Sequence, residues 1–135
     1  MTTELGVLVV ELPITVTNPL NEWRHWAHVR RVAKFERKLT RRLVAVALGR
    51  AYQLEAPPSR PKRIELHVYH GRLFDDDGLV AALKHVRDGL IDAKVIDDDR
   101  PSAGHEFVYG QTAGVPDRQR RVTLTITLRP EEAAS

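Results

Sequence analysis

Residues 63–99, RIELHVYHGRLFDDDGLVAALKHVRDGLIDAKVIDDD, decide the fold. Ile64, Leu66, Val68 and His70 alternate with Glu65, His67 and Tyr69, the period-two pattern of a strand buried on one face. The alternation stops at Gly71, and a loop to Asp77 delivers three consecutive acids. Leu79, Leu83, Val86 and Leu90 then fall on one helical stripe, widened by Val80 and Ile91. That spacing predicts a helix from about Gly78 to about Lys94. A second acid triplet, Asp97-Asp98-Asp99, lies in the loop to Gly104.

Upstream, Leu5 to Val16 is rich in Val, Leu, Ile and Thr and reads as a strand, with Pro13 near its end. Asn18-Pro19-Leu20-Asn21 is turn chemistry, and Asn21 is placed to cap a following helix. Glu22 to Tyr52 contains no Pro, and Val29, Val32, Leu39, Leu43 and Val46 recur at helical spacing. This predicts one long helix or two abutting ones. Ala56-Pro57-Pro58-Ser59-Arg60-Pro61 is a stiff connector. Downstream, Glu106 to Thr112 reads as a short strand. Arg121 to Arg129 alternates Val122, Leu124, Ile126 and Leu128 with three threonines, and is a strand as well. The order is β-α-β-α-β-β. It predicts an α+β class and a single domain over 1–135, with helices packed on one mixed or antiparallel sheet.

The 135 residues suffice for one core, and 42% hydrophobic content supports a folded domain over a disordered one. No apolar run reaches 18 residues, so no membrane span is expected. The opening residues carry Glu4 and lack a basic leader, so no signal peptide is expected. Cys is absent, which excludes disulfides, thiolate zinc sites and a cysteine nucleophile. A cytoplasmic location is the expectation that fits.

Net charge is only +3, but it is unevenly spread. Between Glu22 and Arg50, nine basic residues face two acids, an excess of +7. Between Asp75 and Asp99, three basic residues face eight acids, an excess of −5. The first segment suits a polyanion, and the second would repel it unless cations intervene. Arg24, Arg30, Arg31, Lys34, Arg37, Lys38, Arg41 and the loop residue Arg72 are therefore candidate DNA-backbone contacts. A solubilising surface is the alternative reading of the same residues. Trp23, Trp26, His25 and His28 either stack on bases or anchor the start of the helix.

The two Asp triplets flank one helix. Carboxylate oxygens are hard ligands that suit Mg²⁺, with Mn²⁺ as a substitute. Such an ion acidifies water and clamps phosphate oxygens, the two needs of phosphodiester hydrolysis. A helix from 78 to 94 is about 25 Å long at ~1.5 Å per residue, so the triplets meet only if Val95-Ile96 turns the chain back. The alternative is that acids before the helix merely favour its N-terminus, with Asp77 as cap, while the second triplet is a solvated turn. Lys84 either pairs with Asp88 four residues on or contacts the scissile phosphate.

Phe74-Asp75-Asp76-Asp77-Gly78-Leu79, Lys84, Asp88-Gly89-Leu90 and Val95-Ile96-Asp97-Asp98-Asp99 together resemble the signature of the RusA-like Holliday junction resolvases. Asn18-Pro19-Leu20-Asn21, His25-Trp26 and the Arg-rich helix resemble that family's N-terminal half, and Gly78 stands where its motif has Asn. The resemblance implies a Mg²⁺-dependent, homodimeric endodeoxyribonuclease that resolves branched DNA by paired nicks. Asp75, Asp77, Lys84 and Asp99 are implied as catalytic, with Asp98 beside Asp99 as a further metal ligand. The competing expectation is a non-catalytic nucleic-acid-binding protein on the same fold.

Overall fold

The computed structural model describes residues 7–15, 26–48 and 57–129. Strand β1 (Leu8–Leu12) precedes helix α1 (Trp26–Leu48), and strand β2 (Lys62–Tyr69) follows it. Two short helices come next, α2 (Asp76–Ala82) and α3 (Lys84–Asp92). Strands β3 (Glu106–Thr112) and β4 (Arg121–Leu128) complete the order. The α+β expectation holds, and the sheet is mixed.

The described strands lie in the order β1-β4-β2-β3. Strand β4 is antiparallel to both β1 and β2, whereas β2 and β3 run parallel. A parallel pair needs a crossover, and α2 and α3 supply it. The chain direction therefore brings the C-terminal ends of β1, β2 and β3 and the start of β4 to one end of the sheet.

Period-two alternation decides which face is buried. Leu8, Val10 and Leu12 of β1, Ile64, Leu66 and Val68 of β2, and Val122, Leu124 and Ile126 of β4 all point inward. The helical stripe Leu79, Leu83, Val86 and Leu90 covers them, each side chain buried, with Val44 of α1. Each such side chain contributes roughly 1.5–3 kcal/mol by leaving water. The α1–α3 contact is close because Gly89 has no side chain: a Cβ there would lie 2.6 Å from Thr40 Cβ and 2.8 Å from the Arg37 carbonyl.

The second helix is broken, unlike the single helix the periodicity predicts. Leu83 adopts φ −98°, ψ 6° and hydrogen-bonds back three residues to Val80. This tight step keeps Leu83 itself buried. Helix α3 then ends in a left-handed turn. Lys94 has φ 64°, its N–H donates to Ile91 O, and Val95 N–H donates to Leu90 O. That bond pattern terminates many helices, usually with Gly where Lys94 stands. The turn sends Val95 and Ile96 straight into the core.

Lys62 occupies an inward-facing position of β2 and is buried. Its ammonium donates to the carbonyls of Pro57 and Arg60 at 3.0 and 2.9 Å. Burial pulls its pKa down to about 8, although the Asp97 charge opposes the shift. The Pro-rich connector is thus held against the start of β2 by a charged side chain.

Candidate functional site

The first Asp triplet emerges where β2 ends. The loop carrying it is stapled to the end of β3 and to the β3–β4 connection. His70 N–H donates to Thr112 O, Val115 N–H to His70 O, and Gly114 N–H to Gly71 O. The Gln111 amide closes the staple from both sides: its Oε1 accepts from Phe74 N–H at 2.9 Å, and its Nε2 donates to Phe74 O at 2.8 Å. His70 Nε2 lies 3.0 Å from the same Gln111 oxygen. An amide oxygen only accepts, so Nε2 carries the proton. Burial lowers the His70 pKa and keeps the ring neutral, edge-on against Phe74 at 4.5 Å.

Asp75 is the helix cap. Its Oδ1 accepts from Gly78 N–H at 2.7 Å, and its extended backbone (ψ 168°) starts α2. The sequence reading that put Asp77 at the cap is therefore corrected: Asp77 sits two residues inside the first turn. Asp76 and Asp77 are both exposed there. Lys84 opens α3, exposed, 3.5 Å from Asp88 Oδ2.

The second triplet is divided among three partners. Asp97 Oδ1 accepts from His105 Nε2 at 2.9 Å, while His105 Nδ1 accepts from Lys62 N–H at 3.2 Å. Asp98 pairs with Arg100 at 2.5 Å and also accepts from its backbone N–H. Asp99 lies 3.5 Å from Arg87, whose guanidinium donates to Val80 O and to the Tyr109 hydroxyl. The His105 hydrogen bond holds the Asp97 carboxyl below its ordinary range, and the Arg100 backbone N–H does the same for Asp98.

These partners locate the triplets. His105 meets the first residue of β2, whereas Asp75 follows the last. Eight strand residues separate those ends by about 23 Å at ~3.3 Å per step. Asp97 therefore lies at the far end of the sheet from Asp75. Tyr109 pairs with Leu66 in mid-strand, so Asp99 stands partway back. The chain turns at Ala93–Lys94 and not at Val95-Ile96, which enter the core, and Asp99 comes to rest beside Arg87. Among the described residues no three His, Asp or Glu side chains gather to hold a metal ion. The donor type suits a hard divalent cation; the side-chain positions do not converge on one.

The basic residues divide in a similar way. Arg30, Arg31, Lys34, Lys38 and Arg41 are exposed along α1, as is Arg72 on the loop. Arg30, Arg31 and Lys34 line a cleft of about 430 Å³. Arg37 is different: it makes a two-pronged pair with Asp92 at 2.5 and 2.9 Å that ties α1 to α3. Arg24, Trp23 and His25 lie outside the described residues. Glu36, read from sequence as one of two opposing charges on this segment, is instead buried, and desolvation raises its pKa to about 7.

No protein-family model matches this chain, and no curated protein sequence is similar to it. Among solved structures, the chain is similar to the GDP-form protofilaments of Bacillus thuringiensis serovar israelensis TubZ, at 13% identity and a TM-score of 0.44. That alignment covers 94% of this chain and 27% of the other, so the chain spans about a quarter of its length.

Gln111, Arg87 and His105 escaped the sequence reading. Each acts on a residue far away in sequence: Gln111 on Phe74, Arg87 on Asp99, His105 on Asp97 and Lys62. Gln111 sits inside a strand with no motif around it. The one local hint was for His105, a histidine between Gly104 and Glu106 that follows an acid-rich loop.

Proposed function

We propose that this protein is a Mg²⁺-dependent, structure-selective endonuclease that cuts branched DNA by paired nicks, similar to the RusA-like resolvases. The observation that carries the reading is the exposed Asp76-Asp77 pair beside Asp75. It opens α2 beside a loop clamped at one end of the sheet, in a chain whose α1 residues Arg30, Arg31, Lys34, Lys38 and Arg41 face solvent. Asp75 and Asp77, side by side at the start of α2, would hold the ion; Asp98 and Asp99, each paired to an arginine, would reach it only by leaving Arg100 and Arg87. The ion would supply a water-derived nucleophile and charge neutralisation at the phosphate. Lys84, exposed at the start of α3, would meet phosphate on leaving Asp88. The α1 cations and Arg72 would hold backbone phosphates on either side.

A four-way junction presents two equivalent strands, and each chain carries one such loop. Two copies related by a two-fold axis satisfy that symmetry. The inward face of β4 is not open to this contact, because Val122, Leu124 and Ile126 are fully buried against the helices. Among the described residues, the outward threonines of β4 and the edges of the sheet at β1 and β3 are open to a partner.

The second reading is a nucleic-acid-binding protein without catalysis. It is favoured by one observation, the assignment of Asp97, Asp98 and Asp99 each to its own partner, His105, Arg100 and Arg87. A nicking assay on a labelled four-way junction separates the two. Cleavage with Mg²⁺ that stops with EDTA supports the nuclease. Binding without cleavage under Mg²⁺ and Mn²⁺ supports the alternative.

A further inference from the structure

A basic cleft lies at the same end of the sheet as the first Asp triplet, and no motif pointed to it. It is lined by Glu11, Pro13, Arg118, Gln119, Arg120 and Arg121, with a volume of about 310 Å³. Its three arginines meet two carboxylates, Glu11 on Arg121 and Asp117 on Arg120, which leaves an excess of one positive charge at Arg118.

Two of these guanidinium groups are positioned before any ligand arrives. Arg121 stacks on the Tyr69 ring with 3.9 Å from guanidinium carbon to centroid, and Glu11 holds its Nε at 2.9 Å. Arg120 donates from Nε to Val115 O at 3.0 Å and pairs with Asp117 at 2.7 Å. It reaches Gly71 with Nη2, which a Cβ there would approach to 2.5 Å. Gly71 begins the loop that ends at Asp75, and Gly114 and Val115 bond that loop directly. The arginines and the acids therefore belong to one rigid corner. Arg118 is exposed on the same short turn. A planar guanidinium with fixed orientation matches phosphate oxygens and loses little freedom on binding.

We propose that this cleft takes a backbone phosphate of the DNA strand that runs on to Asp75–Asp77, and so sets that strand's path into the site. The inference rests on the DNA reading above, and it adds a contact distinct from the α1 surface. Backbone contacts of this kind position a strand and carry no base information.

The test measures anisotropy of a labelled four-way junction with the full chain in EDTA, across a KCl series. Arg118→Gln should weaken binding by roughly five- to tenfold near 0.1 M salt and reduce the log–log salt slope by about 0.9, one phosphate contact. Glu11→Gln should tighten binding, because it removes one of the two carboxylates while Tyr69 still holds Arg121. Loss of folding cannot produce that gain. Unchanged affinity and slope in both variants would overturn the cleft while leaving the DNA reading intact. No binding by the wild-type chain would overturn both. Preference for an RNA hairpin, with the same response to the two variants, would overturn the assignment to DNA.

Discussion

Asp97 accepts a 2.9 Å hydrogen bond from His105, and through that ring it joins the loop after α3 to the first residue of β2. The His105 side chain is fully buried, and Asp97 is about half exposed. Removing the ring leaves a buried Lys62 N–H without its acceptor. His105→Ala should therefore cost about 2–3 kcal/mol. Asp97→Ala should cost about 1 kcal/mol or less, since solvent screens the carboxylate. Urea denaturation of the two variants checks the order.

The same pair sets an acid limb. The folded state depresses the Asp97 pKa below its unfolded value of about 4. Its contribution is therefore present above that value and lost as pH falls through the lower, folded one. Asp97→Asn should flatten the fall in stability as pH drops below about 4. An acid titration of midpoint denaturant concentration that matches wild type would contradict this.

Glu36 acts in the opposite direction. Burial raises its pKa from 4.5 to about 7, so the folded state prefers the neutral acid. Its contribution is complete below the unfolded pKa near 4.3, declines as pH rises, and is gone above about 7. Glu36→Gln should make the protein more stable than wild type at pH 8, by an amount of order 1–3 kcal/mol, and nearly equal at pH 4. Thermal melts at the two pH values measure the difference.

Asp75, Asp77 and Asp99 test the metal reading. Asn caps a helix about as well as Asp, so Asp75→Asn should keep the Gly78 hydrogen bond and the melting temperature. Cleavage should nevertheless be lost, because an amide is a poor ligand for Mg²⁺. Asp77→Asn and Asp99→Asn should also abolish nicking, with junction binding equal to wild type or tighter as negative charge is removed. Near-normal cleavage by any of the three removes that residue from the ligand set.

Lys94 holds a left-handed backbone that ordinarily costs a side-chain-bearing residue about 1–2 kcal/mol. Lys94→Gly should stabilise the protein by about 0.5–1 kcal/mol after allowing for the added freedom of glycine when unfolded. A lowered denaturation midpoint would show that the Lys94 side chain contributes more than its backbone costs.

Local periodicity determined a good deal by itself. Alternation over Ile64–His70 and Val122–Leu128, and the stripe Leu79–Leu83–Val86–Leu90, identified the strands, the helical segment and nearly all of their buried positions. Those patterns reach across only a few residues, so each segment carries its own signal. The loop bearing Asp75–Asp77 was legible for the same reason, as the break between two periods. Tertiary structure alone decided that β4 inserts between β1 and β2, and that Gln111 clamps Phe74. It likewise decided that Asp97, Asp98 and Asp99 part company to His105, Arg100 and Arg87. A charge run records how many carboxylates a loop carries. Which partner each one meets depends on strand register and helix docking over tens of residues, and those distances leave no trace in neighbouring letters.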